Sequence, residues 1–303
     1  MEKNIIYQGD SLLHLRHLKS ESVDMCVTSP PYYNIRDYGC DGQIGLEETA
    51  QAYIERLVGV FSEVRRVLKK EGTLWVNIGD TYVGDLPKGR LPKGCKSKDL
   101  IGIPWMLAFA LRDSGWYLRQ DIIWSKGNPL PEAVTDRCTK SHEYMFLFSK
   151  SPKYYFDSEA IQEEAIGYDG RKETLYNGSV KYQNGIKPNG EANKMAGGKH
   201  ERWKFKTDSF GNKIPLRNKR DVWNVNVKPC KDCHFAVFPQ KLIEPCIKVG
   251  CAENGIVLDP FMGSGTTALV ARKLNRNYIG IELNPQYIAI AKKRLMEELG
   301  MFL

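Results

Sequence analysis

The residues Asp259-Pro-Phe-Met-Gly-Ser-Gly-Thr-Thr267 lie between two short apolar segments, Gly255-Ile-Val-Leu258 and Tyr278-Ile-Gly-Ile-Glu282. Directly after the glycines, residues 268–274 carry apolar side chains at helical spacing. Short apolar runs favour strands, so the pattern predicts the order strand, glycine turn, helix, strand. Two strands joined by a helix normally lie parallel in one sheet, with the helix packed across it.

The glycine spacing, Gly-x-Gly-x-x-Ala, is that of a nucleotide-binding turn and is formed by Gly263, Gly265 and Ala268. Glycine lets the chain turn sharply and lets a ligand approach the backbone. Glu282 follows Gly265 by 17 positions, near the spacing at which an acid binds ribose hydroxyls. A phosphate loop of the nucleotide-hydrolase type is disfavoured, because threonines stand where that loop needs a lysine. A nicotinamide dinucleotide site and an ordinary strand-to-helix turn remain alternatives.

A second distinctive segment, Thr28-Ser-Pro-Pro-Tyr32, follows a strand-like run at residues 23–27. Its two prolines fix φ and leave backbone carbonyls that no neighbouring N–H satisfies. A serine precedes them and an aromatic ring follows, so the loop combines hydrogen-bond acceptors with one flat apolar face. Such a loop suits a flat heterocycle that carries an amino group, although a plain turn after a strand is the alternative.

Together the two segments resemble the amino-methyltransferases of DNA, which move a methyl group from S-adenosylmethionine to an exocyclic amine of cytosine or adenine. The resemblance covers nearly the whole chain, from Gly9-Asp10 to Leu295. The target loop comes first and the cofactor loop last, as in the permuted β group of that family. The implied fold is α/β: a Rossmann-like, seven-stranded, mostly parallel sheet closed by one antiparallel hairpin. We expect His142–Ser149 to form that hairpin with the chain that follows it.

The implied domain organisation has three parts, in which a target-recognition insertion interrupts the methyltransferase domain. Residues 1–156 form its catalytic half, residues 157–220 the basic target-recognition region, and residues 221–303 its cofactor-binding half. In the insertion apolar residues become sparse and no period is visible, while Gly, Asn and Lys dominate. A loop this long within a compact domain is usually functional or disordered.

The resemblance also implies the residues that bind the cofactor. In that family the D-P-F-x-G-x-G-T-T stretch binds the methionine part of S-adenosylmethionine. A Gly-Asp near the N-terminus contacts the adenine amino group, and an H-F-A-x-F-P stretch lines the methionine end. The expected contacts here are Asp10, Thr28, His234, Phe235, Pro239, Asp259, Pro260, Phe261, Gly263, Ser264, Gly265, Thr266, Thr267 and Glu282.

The expected catalytic residues are Ser29, Pro30, Pro31 and Tyr32. The Ser29 hydroxyl and the Pro30 carbonyl can accept the two hydrogens of an exocyclic amine, and Tyr32 can stack on a flipped base. Direct in-line transfer then needs no covalent nucleophile. In the resembling family S-P-P-Y favours cytosine N4 and D-P-P-Y favours adenine N6, so we expect cytosine N4, with adenine N6 as the alternative.

Positive charge is concentrated in one segment. Residues 171–220 hold 13 Lys and Arg against 4 Asp and Glu, a surplus of 9, so the rest of the chain is close to neutral although the net charge is +8. A basic segment interleaved with aromatic residues is typical of nucleic-acid contact, although a solvated insertion has the same composition. With Arg36 from the polar loop after Tyr32 and the basic loop at residues 85–99, the segment gives these candidate double-stranded DNA contacts: Arg36, Lys88, Arg90, Lys93, Arg202, Lys204, Lys206, Arg217 and Arg220.

Cys230, Cys233, Cys246 and Cys251 form the pattern C-x2-C followed by C-x4-C. The second spacing is wrong for a standard zinc ribbon, and Cys246 lies in an expected helix, so we expect no metal.

Two further function classes remain. A dinucleotide-dependent oxidoreductase would leave the Pro-Pro loop and the basic segment unexplained, whereas an inactive DNA-binding protein would not need the intact motifs. RNA or protein substrates are also possible, but the basic segment favours nucleic acid.

Composition limits the cellular setting. The hydrophobic content of 42% is ordinary for a globular protein, and no apolar run is long enough to span a membrane. The N-terminus lacks the form of a signal peptide, and the eight cysteines are scattered, so we expect a cytoplasmic protein without a disulfide framework. The resemblance also makes a homodimer and a cognate restriction endonuclease possible partners.

Overall fold

The computed structural model describes residues 2–35, 37–83, 94–165, 205–207, 213–227 and 238–300. The chain divides into two compact units. The first unit comprises Met1–Ala160 and Arg220–Leu303, and the second comprises Ile161–Lys219. The domain boundaries expected from the sequence, with an insertion at 157–220, stay a prediction.

The first unit is built on one large sheet. Its described strands are β1 (Ile5–Gln8), β2 (Val23–Thr28), β3 (Leu68–Ile78), β4 (Tyr117–Ser125), β5 (His142–Ser149), β9 (Val222–Asn224), β10 (Ile256–Asp259) and β11 (Asn277–Glu282). The eight strands lie in the order β1-β11-β10-β2-β3-β5-β4-β9. Strands β1, β11, β10, β2 and β3 run parallel, β5 runs antiparallel to both β3 and β4, and β9 pairs parallel with β4.

The described part of the first unit also contains six α-helices. They are α1 (Ser11–His17), α2 (Ala50–Val67), α3 (Ile103–Asp113), α4 (Gln240–Gly250), α5 (Thr266–Lys273) and α6 (Pro285–Leu299). The side chains of Asp10, Thr49 and Asn284 accept a backbone N–H at the starts of α1, α2 and α6. Such caps satisfy donors that the first helical turn leaves unpaired. Helices α1, α2 and α3 pack together, and α4, α5 and α6 form a second group.

The α/β class and the mostly parallel sheet are confirmed, but the sheet has eight described strands rather than the expected seven. The additional strand is β9, which is only three residues long. Its central Trp223 is buried, while Val222 and Asn224 are exposed. The Trp223 indole donates to the carbonyl of Arg220 at 2.7 Å. A strand of three residues with one buried aromatic shows too little alternation of apolar and polar residues to be predicted from hydrophobic periodicity.

Two further expectations are corrected. The hairpin forms between β5 and the preceding β4, not with the chain that follows β5. The apolar spacing after Thr49 predicts a helix to about Lys70 that Gly72 ends, followed by a strand from Thr73. In the structure this helix ends at Val67 and β3 begins at Leu68. Leu68 is fully buried and pairs with Val23, across a register irregularity in β2. Tertiary pairing of Leu68 therefore ends the helix before the glycine that was expected to end it.

The second unit contains a small antiparallel sheet formed by β6 (Glu163–Glu164), β7 (Phe205–Thr207) and β8 (Lys213–Arg217), in the order β6-β8-β7. Arg217 pairs with Glu163 at 3.1 Å and Lys206 with Glu164 at 3.4 Å. The irregular composition of this region had predicted no strands. None of the helices in the part of the chain that the structure describes is long and apolar enough to cross a membrane.

Candidate active site

The carboxyl ends of the parallel strands meet at one edge of the main sheet, where open α/β sheets usually bind their ligands. Thr28 ends β2, Asp259 ends the neighbouring β10, and Glu282 ends β11. Beyond these ends lies a cavity of about 400 Å³. Both motifs identified in the sequence line it: the Pro-Pro loop on one side and the glycine loop on the other.

Asp259 ties the two loops together. It is 1% exposed, and its carboxylate accepts hydrogen bonds from Thr28 Oγ1 and Thr267 Oγ1, both at 2.6 Å. The N–H of Phe261 donates to the same carboxylate at 3.0 Å. Thr28 leads into the Pro-Pro loop and Thr267 lies in the first turn of α5, so one buried side chain fixes both loops. Such a fully satisfied polar network holds a single arrangement.

The pH dependence of stability tests this buried carboxylate. Burial raises the pKa of Asp259 from 3.8 to about 6, against the hydrogen bonds of Thr267, Thr28 and Phe261. The favourable contribution of protonated Asp259 to the free energy of unfolding is therefore fully present below about pH 4. It is lost as the pH rises through about pH 6, a change of roughly 3 kcal/mol. We expect the wild type to lose about that much unfolding free energy relative to Asp259→Asn between about pH 3 and about pH 8. Urea unfolding at each pH measures it, and parallel pH profiles for the two proteins would contradict the assignment.

The glycine loop turns through two left-handed positions, Gly263 at φ +53° and Gly265 at φ +81°. A Cβ on Gly265 would lie 2.8 Å from Ala291 Cβ of α6, whereas one on Gly263 would meet only the Phe261 carbonyl, at 4.0 Å. Gly265 thus permits close packing of α5 on α6, while Gly263 keeps the backbone open. From α6, Arg294 donates to the Ser264 carbonyl at 2.7 Å, which braces the loop from behind.

Two carboxylates project from neighbouring strand ends toward the cavity. Glu282 accepts the N–H of Gly263 at 2.7 Å and that of Asn284 at 2.8 Å. Burial raises its pKa, and these backbone donors oppose the shift. Asp10 accepts the N–H of Leu13 at 2.9 Å and so caps α1 beside the same cavity. Both groups can accept further hydrogen bonds from hydroxyl or amino groups of a ligand.

The Pro-Pro loop is held by a network that reaches across three strands. The Tyr32 hydroxyl donates to Glu143 Oε2 at 2.6 Å and lies 3.3 Å from Asn77 Oδ1. Asn77 Nδ2 donates to the same Glu143 oxygen at 3.1 Å, and Ser29 Oγ lies 3.5 Å from the Tyr32 hydroxyl. Burial, and next the charge of Glu143, raise the pKa of Tyr32 well above its usual 10.0. Tyr32 therefore stays protonated as a donor.

Lys126 completes this network from the opposite side. Its ammonium donates to Glu143 Oε1 at 2.5 Å and lies 4.6 Å from the centre of the Trp124 ring. The side chains of Lys126 and Glu143 are only 20% and 12% exposed, so the pair is largely shielded from water. A shielded ion pair is sensitive to loss of either partner. The hydrogen bonds and the ion pair of this network thus hold the Pro-Pro loop in a fixed position.

The predicted site residues divide into three groups. Those that line the cavity are Asp10, Ser29, Pro30, Pro31, Tyr32, Pro260, Phe261, Gly263, Ser264, Thr266 and Glu282. The described residues that do not line it are Thr28, Pro239, Asp259, Gly265 and Thr267, and of these Asp259, Thr28 and Thr267 form the buried clamp. Outside the described residues lie Arg36, Lys88, Arg90, Lys93, Arg202, Lys204, His234 and Phe235.

The remaining DNA candidates are spread over the two units. Lys206 and Arg217 lie on the small sheet of the second unit, each paired with a glutamate of β6. Arg220 lies in the first unit, just before β9, and is exposed. These three side chains remain predicted DNA contacts.

A protein-family model described as DNA methylase matches residues 23–293. The chain belongs to the DNA methylase family. The matched range includes both cavity loops and the whole segment between them. Family membership makes the protein a DNA methyltransferase of the group that modifies exocyclic amines, N6 or N4.

Curated relatives extend this similarity over most of the methylase. The Type II methyltransferase M.Cfr9I of Citrobacter freundii is 45% identical, over 97% of this chain and 88% of the relative. The Type II methyltransferase M.SmaI of Serratia marcescens is 43% identical, over 96% and 90% of the two chains. The similarity therefore spans nearly the full length of these two Type II methyltransferases, the kind that belongs to restriction–modification systems.

Solved structures agree on the fold. The PvuII DNA methyltransferase (cytosine-N4-specific) has a TM-score of 0.66 at 20% identity, over 97% of this chain and 86% of that one. A DNA modification methylase of Thermus thermophilus, solved in complex with S-adenosyl-L-methionine, has a TM-score of 0.62 at 24% identity, over 98% and 96%. At these identities the likeness concerns the fold alone.

Several cavity residues of the methylase were not predicted, notably Asn77, Lys126, Leu130 and Glu143. Asn77 lies next to the end of β3, and a polar residue at a strand end could have indicated it. Glu143 is the second residue of β5 and Lys126 directly follows β4, and neither belongs to a motif. Their proximity to Tyr32 arises only from the order of strands in the sheet.

Proposed function

We propose that the protein transfers a methyl group from S-adenosylmethionine to the N4 amine of a cytosine flipped out of double-stranded DNA. The observation that carries the proposal is the clamp of Thr28, Asp259 and Thr267, because it joins the cofactor loop and the base loop at one cavity. A transfer reaction needs both reactants held side by side, and such positioning is its main catalytic contribution.

The cavity has the chemistry that the cofactor requires. Glu282 and Asp10 can accept hydrogen bonds from ribose hydroxyls and an adenine amine, and Phe261, Ile281 and Leu283 offer apolar lining. The space beside Gly263 lets a ligand approach the backbone. When bound, S-adenosylmethionine supplies an activated methyl group on a sulfonium. The fit supports a role for Glu282 and Asp10 in binding its adenosine part.

On the other side of the cavity, Ser29 and Pro30 can bind the exocyclic amine of the target base. The Ser29 hydroxyl and the Pro30 carbonyl can accept its two hydrogens, which turns the nitrogen lone pair toward the cofactor side. Tyr32 offers its ring for stacking, and stacking of a base is worth about 1–3 kcal/mol. The hydrogen bond to Glu143 holds that ring in place. Direct transfer then requires positioning but no covalent nucleophile.

Cytosine N4 is proposed over adenine N6 because Ser29, rather than an acid, precedes the prolines. The atom next to the amine is a ring nitrogen acceptor, which a carboxylate would repel. Since adenine N1 has the same property, adenine N6 stays the second candidate. The family model covers both amines, so the choice of base rests on Ser29.

A serine substitution separates amine binding from cofactor binding. We expect Ser29→Ala to lower the transfer rate about tenfold, the effect of losing one hydrogen bond, and to leave the Kd for S-adenosylmethionine unchanged. Single-turnover transfer and calorimetric titration measure the two quantities. A comparable loss of cofactor affinity would show that Ser29 does not act on the amine side.

DNA is proposed to bind through the basic segment and to release the target base into the cavity. Extrusion of a base costs a few kcal/mol, which phosphate and base contacts must offset. The Type II relatives support a cognate restriction endonuclease as a partner of the same system. A homodimer is the other proposed association.

Transfer of an isotopically labelled methyl group tests the class of reaction. Purified protein with labelled S-adenosylmethionine should label unmethylated genomic DNA, and the same DNA previously modified by the protein should accept little more. RNA and the protein itself serve as parallel acceptors. Label in RNA or protein but not in DNA would contradict the proposal.

A further inference from the structure

Leu130 is an apolar side chain held in solvent at the rim of the cavity. It is 86% exposed, the largest exposure among the large hydrophobic residues that the structure describes. It also lines the cavity that contains Ser29 and Tyr32. Burying a leucine is normally favourable, so a leucine that lines the rim of a binding cavity gains free energy when a bound partner covers it.

The chain around Leu130 is stiff. Pro129 and Pro131 flank it, and each proline fixes its own φ and restricts the residue before it. The two prolines therefore limit the conformations that the tip can adopt. A leucine carried in this way loses little conformational freedom when it inserts into a partner.

The loop that carries Leu130, between β4 and β5, is anchored on both sides of the tip. Asn128 forms two hydrogen bonds with Val227, both at 2.9 Å, one to its carbonyl and one from its N–H. On the other side Glu132 pairs with Arg137 and accepts the N–H of Lys140 at 3.3 Å. At the base of the loop, the backbone N–H of Lys126 donates to the Ser141 carbonyl at 2.8 Å. The exposure of Leu130 thus belongs to a fixed loop.

We propose that Leu130 is a wedge that enters the DNA base stack at the position which the target base leaves. The inference rests on the proposed function, since a base that reaches Ser29 must first leave the duplex. A flipped base leaves an apolar gap between its neighbours, and leucine is among the side chains that proteins insert between base steps. Leu130 and the Pro-Pro loop border one cavity, so the wedge and the base pocket face the same nucleotide.

The wedge acts on the flipping step and does not touch the reacting amine. It stabilises the duplex from which the base has left and opposes return of the base. Its contribution should therefore depend on whether the target base is paired. A target opposite an abasic site has no partner to leave, so its transfer should need the wedge far less.

Leu130→Ala tests the proposal on two oligonucleotide duplexes that carry the site methylated by the wild type. One duplex has a normal base opposite the target, and the other has an abasic site there. We expect single-turnover transfer by Leu130→Ala to fall about tenfold on the paired duplex. On the abasic duplex its rate should stay within about threefold of wild type, a tolerance set by the scatter of single mutational effects. Leu130→Met, which can still insert, should keep most of the activity on both.

Met296→Ala is the matched control, because Met296 is a 55% exposed apolar residue on α6 and is not part of the cavity lining. It should not change either rate. Equal losses for Leu130→Ala on the two duplexes, or no loss on the paired duplex, would overturn the wedge while leaving the proposed function intact. If the wild type methylates no DNA, no such site can be found, and the proposed function and the wedge fail together. The test holds for cytosine and for adenine.

Discussion

Gly265→Ala is expected to destabilise the protein by roughly 2–5 kcal/mol and to abolish binding of S-adenosylmethionine. The backbone at Gly265 is left-handed, with φ +81°, which strains any residue that has a Cβ. The added Cβ would also lie 2.8 Å from the Cβ of Ala291 and 3.2 Å from its Cα, so α5 and α6 must move apart. Moving α5 shifts Thr267 away from Asp259 and breaks the clamp between the two loops.

Gly263→Ala is the matched control for this prediction. Its φ of +53° carries similar backbone strain, but a Cβ there meets nothing closer than the Phe261 carbonyl at 4.0 Å. We expect a loss of about 1 kcal/mol in stability, from strain alone. Urea unfolding distinguishes the two variants, and calorimetric titration measures the loss of S-adenosylmethionine binding in Gly265→Ala. Equal destabilisation by both substitutions would show that packing of α5 on α6 does not place the cofactor loop.

Glu143→Ala is expected to lower the transfer rate by roughly two to three orders of magnitude, or about 3–4 kcal/mol. The substitution removes the acceptor of the Tyr32 hydroxyl at 2.6 Å and leaves the Lys126 ammonium without its carboxylate. Tyr32 can then rotate away from the base, and a largely shielded positive charge stands beside the base pocket. The Kd for S-adenosylmethionine should change little, because Glu143 lies on the base side of the cavity.

Removing the positive charge as well tests this explanation. Lys126→Met combined with Glu143→Ala should recover about tenfold of the lost rate, because losing both partners of a shielded pair costs less than losing one. Tyr32→Phe on its own should weaken the network without leaving an unpaired charge. Strictly additive losses in the double variant would contradict a coupled network, and the Glu143 effect would then be merely structural.

The sequence contained enough to place the site at the ends of the strands. The glycine loop and the acid at Glu282 predict a strand–helix–strand unit with a ligand at its carboxyl edge, and the structure has that unit. The contact between Thr28 and Asp259 joins residues 231 positions apart, so no local pattern could indicate it. It follows once β2 and β10 are known to be neighbours. Sequence reasoning therefore identified both loops that line the cavity but not the clamp between them.

The residues that sequence reasoning missed share one property: their roles depend on strand order. Glu143 reaches Tyr32 only because β5 inserts between β3 and β4 in the antiparallel direction. Leu130 lines the cavity only because the loop between β4 and β5 reaches the cavity rim. The eighth strand, β9, was not predicted for a similar reason, since its three residues, anchored by Trp223, pair only with β4 among the described strands. These features are set by long-range pairing, which hydrophobic periodicity does not encode.

The identity of the modified nucleoside tests the central claim most directly. Unmethylated genomic DNA should be incubated with the protein and S-adenosylmethionine that carries a deuterated methyl group, then digested to nucleosides and examined by mass spectrometry. We predict deuterated N4-methyldeoxycytidine, together with its loss in Ser29→Ala at early times. Deuterated N6-methyldeoxyadenosine alone would contradict the assignment of the base while keeping the two-loop site. Label at cytosine C5 would contradict the whole account, because no part of it provides the covalent nucleophile that such chemistry needs.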